Sequence, residues 1–369
     1  MKQLSEREFD VLATVVLGGL LPLMGERTPQ SLYYILVGRK ANQTIQDVHH
    51  YRLHPYYRLI PSFLKENWQD FVTYFLRMGW MSLKKTGSRS RQFTFEITSD
   101  GREQWLSGRQ RYQLERWLKP LNGIAYAERV DTFWMRLHLL IQTISHLRYR
   151  QPSFYPVVQR RQIQAWVKRQ LHHPQTREHL SSSQLYHELL AVLASYDVTL
   201  QRLFADQLSG VTQVGYTQEQ IAYHMDEPLL LVQIKMKYLL TRIYREVLEN
   251  EEGRYPLLSR LATIESGRDP RLSASAAETF RLLQKGVNME GIVRRRGLKQ
   301  GTVEDHLVEI ALHCPEWDVT PYLSQEQKQL ILMTSRQAGT KRLRVIKELL
   351  GESCSYLQIR LALAQEGGE

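Results

Sequence analysis

Apolar residues recur three and four positions apart along most of the chain, the spacing of one buried helical face. Between Asn67 and Met78, Trp68, Phe71, Val72 and Phe75 follow this rule, and Gly79 ends the run. The period then shortens to two. Trp80 to Lys85 (WMSLKK) and Gln92 to Thr98 (QFTFEIT) alternate as strands do, with TGSRSR between them as a loop. After Ser99-Asp100-Gly101, helical spacing resumes from Glu103 to Trp117. The apolar run from Val11 to Met24 is shorter than the roughly 20 residues a bilayer span requires. Gly18, Gly19 and Pro22 interrupt it, and Glu6, Glu8 and Asp10 stand where an export signal would be basic. A buried N-terminal helix is expected there, with no membrane partner.

The helix, two-stranded hairpin and helix from Asn67 to Trp117 resemble a winged helix. Lys84, Lys85, Arg89 and Arg91 would lie on or near the wing, which in such families touches phosphate or the minor groove. A packing hairpin with a solvated tip fits the same charges.

A second pattern occurs twice. GYTQEQIAYHMDEPLLLVQIKMKYLL, from Gly215, and GVNMEGIVRRRGLKQGTVEDHLVEIAL, from Gly286, share one skeleton. Gly215 matches Gly286, Ile221 matches Ile292, Val232 matches Val303, Met236 matches Leu307 and Leu239 matches Ile310. A turn glycine, a polar helix start, a buried aliphatic, a short turn and a second helix make a helix-turn-helix. Asn288 is placed to cap the first helix of the later copy. Thr302 with Asp305, and Thr217 with Gln220, have capping-box spacing, and Gly297 would relieve the turn. Arg294, Arg295 and Arg296 are consecutive, so they fan over about 200° of helix surface and cannot all face one ligand. With Lys299 they are candidate DNA contacts. Three of the non-core positions that follow, Glu304, Asp305 and Glu309, are acidic, which suits phosphate contact or a protein interface better than base readout.

Charge adds a third region. The 369 residues carry a formal net charge of +11, which favours a polyanionic partner. From Thr132 to Arg177 there is no carboxylate, while Arg136, Arg148, Arg150, Arg160, Arg161, Lys168, Arg169 and Arg177 all fall there. Phe133, Trp134, Tyr149, Phe154, Tyr155 and Trp166 are interleaved with them. Such a segment can neutralise phosphates and stack bases. Alternatively its tryptophans are core and its arginines a solvated face. Arg148, Arg150, Arg160, Arg161, Lys168 and Arg169 are its candidate DNA contacts. The two cysteines, Cys314 and Cys354, form no metal or disulfide framework, which suits a reducing cytoplasm.

The segment LSASAAETFRLLQKGVNMEGIVRRRGLKQGTVEDHLVEIAL, with the tail KRLRVIKELLGESCSYLQIRLALA (Lys341 to Ala364), resembles the helix-turn-helix module at the C-terminus of many bacterial RecQ helicases. YYILVGRKANQTIQDVHHYRL (Tyr33 to Leu53) and the chain length extend the resemblance to the stand-alone YpbB-type proteins of Firmicutes, often encoded beside a RecQ-type helicase. Where that family has Ile-Ala in the first helix of the motif, this chain has Ile292-Val293. The resemblance implies a RecQ-type helicase as partner.

Catalysis is not expected. GRKANQT lacks the glycine and lysine order of a phosphate loop. His49, His50 and His54 have no carboxylate or cysteine nearby to complete a metal site. Asp318, Glu326 and Lys328 mimic a nuclease triad, but Ser324 to Gln327 reads as a capping box. The expectation is a mainly α protein without cofactor or metal: a winged-helix-like domain at 1–123, a basic helical domain with a helix-turn-helix-like unit at 124–250, a polar linker at 251–272, and a RecQ-type helix-turn-helix domain at 273–369. The function expected is DNA binding as an accessory to a RecQ-type helicase in repair or replication. The alternatives are a helix-turn-helix transcriptional regulator and a protein adaptor that does not touch DNA. Composition leaves the oligomeric state open.

Overall fold

The computed structural model describes residues 4–85, 93–172, 183–250, 253–263 and 271–366. Among them are nineteen α-helices and a single two-stranded hairpin. The chain divides into two compact units, Met1–Val15 with Glu103–Ile264, and Val16–Arg102 with Glu265–Glu369. This division differs from the order read along the sequence, because residues 16–102 share a unit with the C-terminal region. None of the helices among the described residues is long and apolar enough to cross a membrane. The apolar run near the N-terminus is the helix Glu6–Leu20, with every residue from Val11 to Leu20 buried.

The first unit is built on the 26-residue helix Gly123–Arg148, started by Asn122, whose side chain accepts from Ala125 N at 3.1 Å. It packs against Leu229–Leu248, Arg161–His172 and Pro256–Ala262. The last of these lies inside the stretch expected to be a linker. Leu257, Leu258, Leu261 and Ala262 are nonetheless buried, because both ends of this short helix find buried charge. At its start, Leu257 N and Leu258 N donate to the Glu188 carboxylate at 2.9–3.2 Å. At its end, Arg136 donates to Leu261 O at 2.9 Å and Thr263 O at 2.8 Å, its guanidinium 4.2 Å from the Trp166 ring centre. An anion at the N-terminus and a cation at the C-terminus complement the helix dipole, so neither charge is buried uncompensated. The helical spacing from Glu103 to Trp117 is interrupted. Ser99–Arg111 and Leu114–Leu118 are separate helices, with Gln113 left-handed at φ 50° between them. The bend brings Trp117 Nε1 onto Tyr112 O at 3.1 Å, an indole hydrogen bond that continuous periodicity does not reveal.

In the second unit the helix Lys65–Arg77 and the strands Met81–Lys85 and Phe93–Ile97 follow in the expected order, and the helix Ser99–Arg111 comes next along the chain, its residues from Glu103 onward belonging to the first unit. The strands are antiparallel, from Met81↔Ile97 to Lys85↔Phe93. Met81, Phe95 and Ile97 are buried, and Phe63, Phe71, Phe75 and Trp80 pack edge to face or tilted at 5.5–5.9 Å. The C-terminal part of the unit buries Leu307, Ile331, Ile346, Ile359, Leu361 and Leu363 in one core. The helix Asn42–His50 packs against Gln300–His313 and Tyr356–Glu366. Glu26 fastens the same seam: its Oε2 accepts from Tyr51 Oη at 3.3 Å, Thr340 Oγ1 at 2.9 Å and Lys341 N at 3.2 Å.

Candidate nucleic-acid interface

The C-terminal helix-turn-helix is assembled by local chemistry. Asn288 Oδ1 accepts from Gly291 N at 2.9 Å and opens the helix Met289–Arg296. Gly297, left-handed at φ 60°, closes it, a conformation a side chain would strain. The second helix is Gln300–His313. Leu282, Ile292 and Val303 form the buried seam. The earlier copy repeats this as Gln218–Met225, with a complete Thr217–Gln220 capping box, then Asp226 left-handed at φ 50° and Leu229–Leu248. All ten paired positions except the two turn glycines are buried. One expected cap is absent. The helix at Gln300 starts two residues before Thr302, with Lys299 in the cap position and no side-chain cap bond, so Thr302 and Asp305 lie inside the helix.

The two copies present different surfaces. Leu231, Val232, Ile234, Lys235 and Met236 are all buried in the second helix of the earlier copy, so little of that helix is left to enter a groove. Its turn residue Asp226 accepts from Arg7 at 2.9 Å. In the C-terminal copy, Lys285, Arg294, Arg295, Lys299, Gln300 and Gly301 are exposed. Lys285 escapes a reading centred on the arginine run; its place beside the turn glycine is the signal for it.

The acidic character of the second helix is mostly absorbed within the module. Asp305 Oδ1 takes a 2.5 Å ion pair from Arg360. Glu309 accepts from Ser273 N at 2.5 Å and Ser273 Oγ at 3.0 Å, securing the start of Ala274–Gln284. Glu304 accepts from Gln300 at 2.9 Å. The three arginines separate as their angular spread requires. Arg294 and Arg295 face outward, whereas Arg296 donates to Ser275 O at 2.7 Å, Ser275 Oγ at 3.0 Å and Thr279 Oγ1 at 2.5 Å. Thr279 Oγ1 in turn lies 2.9 Å from His306 Nδ1. His306 is therefore buried. Burial and then the Arg296 charge push its pKa below the usual imidazole value, which favours the neutral ring beside the threonine hydroxyl.

The carboxylate-free segment also divides. Arg136, Phe133 and Trp166 are buried, and Trp134 is half-buried. Arg148, Arg150, Arg160, Arg161, Lys168 and Arg169 are exposed, Arg148 donating to Ser183 Oγ at 2.8 Å. Arg177 lies outside the described residues. On the hairpin, Lys84 pairs with Glu96 at 2.5 Å, which reduces its charge toward a ligand. Lys85 ends the first strand, and Arg89 and Arg91 lie outside the described residues.

His49, His50 and His54 are packed residues of the second unit. His49 Nδ1 is 3.1 Å from His54 Nε2, and its ring centre is 5.3 Å from that of His313. Among the described residues no three His, Cys, Asp or Glu side chains are arranged to hold a metal. The Ser324–Gln327 capping box is complete, and Asp318 Oδ1 accepts from Thr320 N at 2.9 Å.

These features define a helix-turn-helix domain at the C-terminus, and residues 275–363 match a family model described as a helix-turn-helix domain. Over 360 residues the chain is 26% identical to protein YpbB of Bacillus subtilis (strain 168), and the match covers 97% of each chain. No solved structure is a significant match.

Proposed function

We propose that this is a non-catalytic, cytoplasmic DNA-binding accessory protein acting with a RecQ-type helicase in DNA repair or replication. The observation that carries the DNA-binding reading is the division of charge in the C-terminal module. Asp305 and Glu309 are engaged within it, while Lys285, Arg294, Arg295 and Lys299 are exposed around the turn. Cations clustered on the exposed face around a helix-turn-helix turn suit phosphate contact. Binding should then be weakly sequence-dependent and strongly salt-dependent, each neutralised phosphate adding about −0.9 to the log–log salt slope on duplex DNA. Changing Arg294, Arg295 and Lys299 together to alanine should flatten that slope by about 3. Changing Arg160, Arg161 and Lys168 together measures the share of the carboxylate-free segment. An unchanged slope in both triple variants rejects these surfaces, and a base-specific footprint would favour a transcriptional regulator instead.

The helicase partnership rests on the likeness of the C-terminal module to a helicase tail in a chain whose sequence lacks a phosphate loop. A direct interface would raise the module's effective concentration at a motor, where shared DNA alone gives a weak, salt-sensitive encounter. A pull-down from nuclease-treated extract with the full-length chain should recover a RecQ-type helicase; none recovered sinks the partnership. Residues 1–123 are the proposed docking region. Deleting them would also strip core from the second unit, Leu36 and Phe71 among it. Glutamate at the exposed Leu64 and Met78 is the cleaner test, and undiminished recovery would move the docking site elsewhere.

A further inference from the structure

The end of the long helix in the first unit carries a feature that duplex binding does not require. After Arg148 the chain turns through Tyr149 and Arg150, the latter left-handed at φ 56°. Residues 151–160 then run back along the helix without regular structure as an extended strap. Gln142, buried in the helix, fastens it: its Nε2 donates to Tyr155 O at 3.2 Å and its Oε1 accepts from Val157 N at 2.8 Å. Lower down, the Phe154 ring stacks on His146 at 4.3 Å and 18°. Side chains of an extended chain alternate in direction, so pinning the strap sorts its residues. Phe154 and Val158 turn inward, and Tyr155 turns outward, 86% exposed. Pro156 restricts the backbone of Tyr155 to extended conformations, which holds its ring out at little entropic cost. Tyr149 is 58% exposed at the helix end.

We infer that this strap is a binding site for single-stranded nucleic acid, with Tyr149 and Tyr155 as stacking platforms and Arg150, Arg160 and Arg161 as phosphate contacts. Gln142 lies seven residues before Tyr149, so the strap backbone held at Tyr155 and the helix end at Tyr149 are about 10 Å apart along the helix axis. That is about three stacked nucleotides at 3.4 Å each. In a duplex the base faces are covered by their neighbours, so the exposed tyrosines discriminate for unpaired strands. The flanking arginines add affinity regardless of sequence. An acidic protein could meet the arginines. However, anchoring aromatics at protein interfaces sit in well-packed pockets, and a ring as exposed as Tyr155 is better placed to receive a planar base. This inference rests on the reading that the carboxylate-free segment contacts nucleic acid, and it names which form of nucleic acid that segment takes.

The test uses the full-length chain and fluorescein-labelled oligothymidylate of twelve nucleotides, its RNA counterpart, and a mixed-sequence duplex of the same length. Anisotropy should show the single strands bound at least tenfold more tightly than the duplex. Tyr149→Ala with Tyr155→Ala should weaken single-strand binding by on the order of tenfold per ring while leaving duplex binding unchanged. Because Tyr155 is so exposed, far-ultraviolet circular dichroism should be unaltered. The relative weakening of DNA and RNA shows which source the strap prefers. If the duplex binds but the tyrosine variant weakens both forms equally, or neither, the strap is not a single-strand site and the proposed DNA binding stands. If no nucleic acid binds at all, both readings fall together.

Discussion

Replacing Ile292 by aspartate is expected to unfold the C-terminal helix-turn-helix. Ile292 has no solvent exposure and sits in the seam with Leu282 and Val303, whose neighbours are Leu283, Val287, Met289, Val293 and Leu298. Truncating a buried isoleucine costs about 2–5 kcal/mol. A carboxylate adds the penalty of an unpaired charge among apolar groups. The sum is expected to exceed about 4 kcal/mol, against a total of 5–15 kcal/mol typical of a folded domain. Ile221→Asp should act similarly in the first unit, where Ile221 occupies the matching position at 2% exposure. The arginines beside Ile292 set the contrast. Arg295→Ala, on the exposed face, should stay within about 0.5 kcal/mol. Arg296→Ala removes the donor that Ser275 O and Thr279 share and should cost about 1–3 kcal/mol. Urea unfolding followed by tryptophan emission, with amide exchange to locate the opened helices, ranks the four variants. An unchanged midpoint for Ile292→Asp would show that the residue is not in a buried seam.

What the sequence discloses follows from what repeats along it. The helical periods, the alternation of the hairpin and the two copies of one skeleton all depend on neighbours two to eleven residues away, and they reappear in the fold. The Asn288 cap and the Thr217–Gln220 and Ser324–Gln327 boxes are likewise local. Partners distant in sequence leave no such trace. The sequence does not show that Asp305 will meet Arg360 or that Glu309 will hold Ser273, so the second helix reads as more acidic than its surface is. Arg296 is one of three identical letters, and only the position of Ser275 and Thr279 distinguishes it from Arg294 and Arg295. Polar composition suggests a linker around Pro256, yet the remote residues Glu188 and Arg136 supply the charges that let this helix be buried. Tyr149 and Tyr155 are written beside Phe154 and Trp166 without distinction. Gln142 decides which ring of the strap faces water.

Acid is expected to loosen the second unit well before its carboxylates titrate. His49 is held down to about 2, first by burial and then by His54, His313 and His50 around it. His50 is held down to about 3, first by burial and then by Lys341 and Arg27. Both are therefore neutral in the folded protein at any pH near neutrality, and in the unfolded chain each returns to an ordinary value near 6.5. Above that value neither state binds a proton, and stability does not depend on these rings. Below it the unfolded chain takes up protons that the folded unit refuses, so stability falls as pH falls through the range from 6.5 toward 3. At pH 5 each ring accounts for about 2 kcal/mol, so the pair accounts for about 4 kcal/mol. His54 and His306 are lowered by burial as well and act in the same direction. Asp47 opposes them. Burial outweighs its Arg27 partner and raises its carboxyl, so it accepts a proton in the folded unit earlier than in the unfolded chain. The rings sit where Asn42–His50 meets Gln300–His313, so amide exchange in these two helices should accelerate together between pH 7 and pH 5. In His49→Gln with His50→Gln, which keeps polar side chains that do not titrate, the same step should be much smaller. Acceleration as large in that variant as in the original protein would place the acid sensitivity elsewhere.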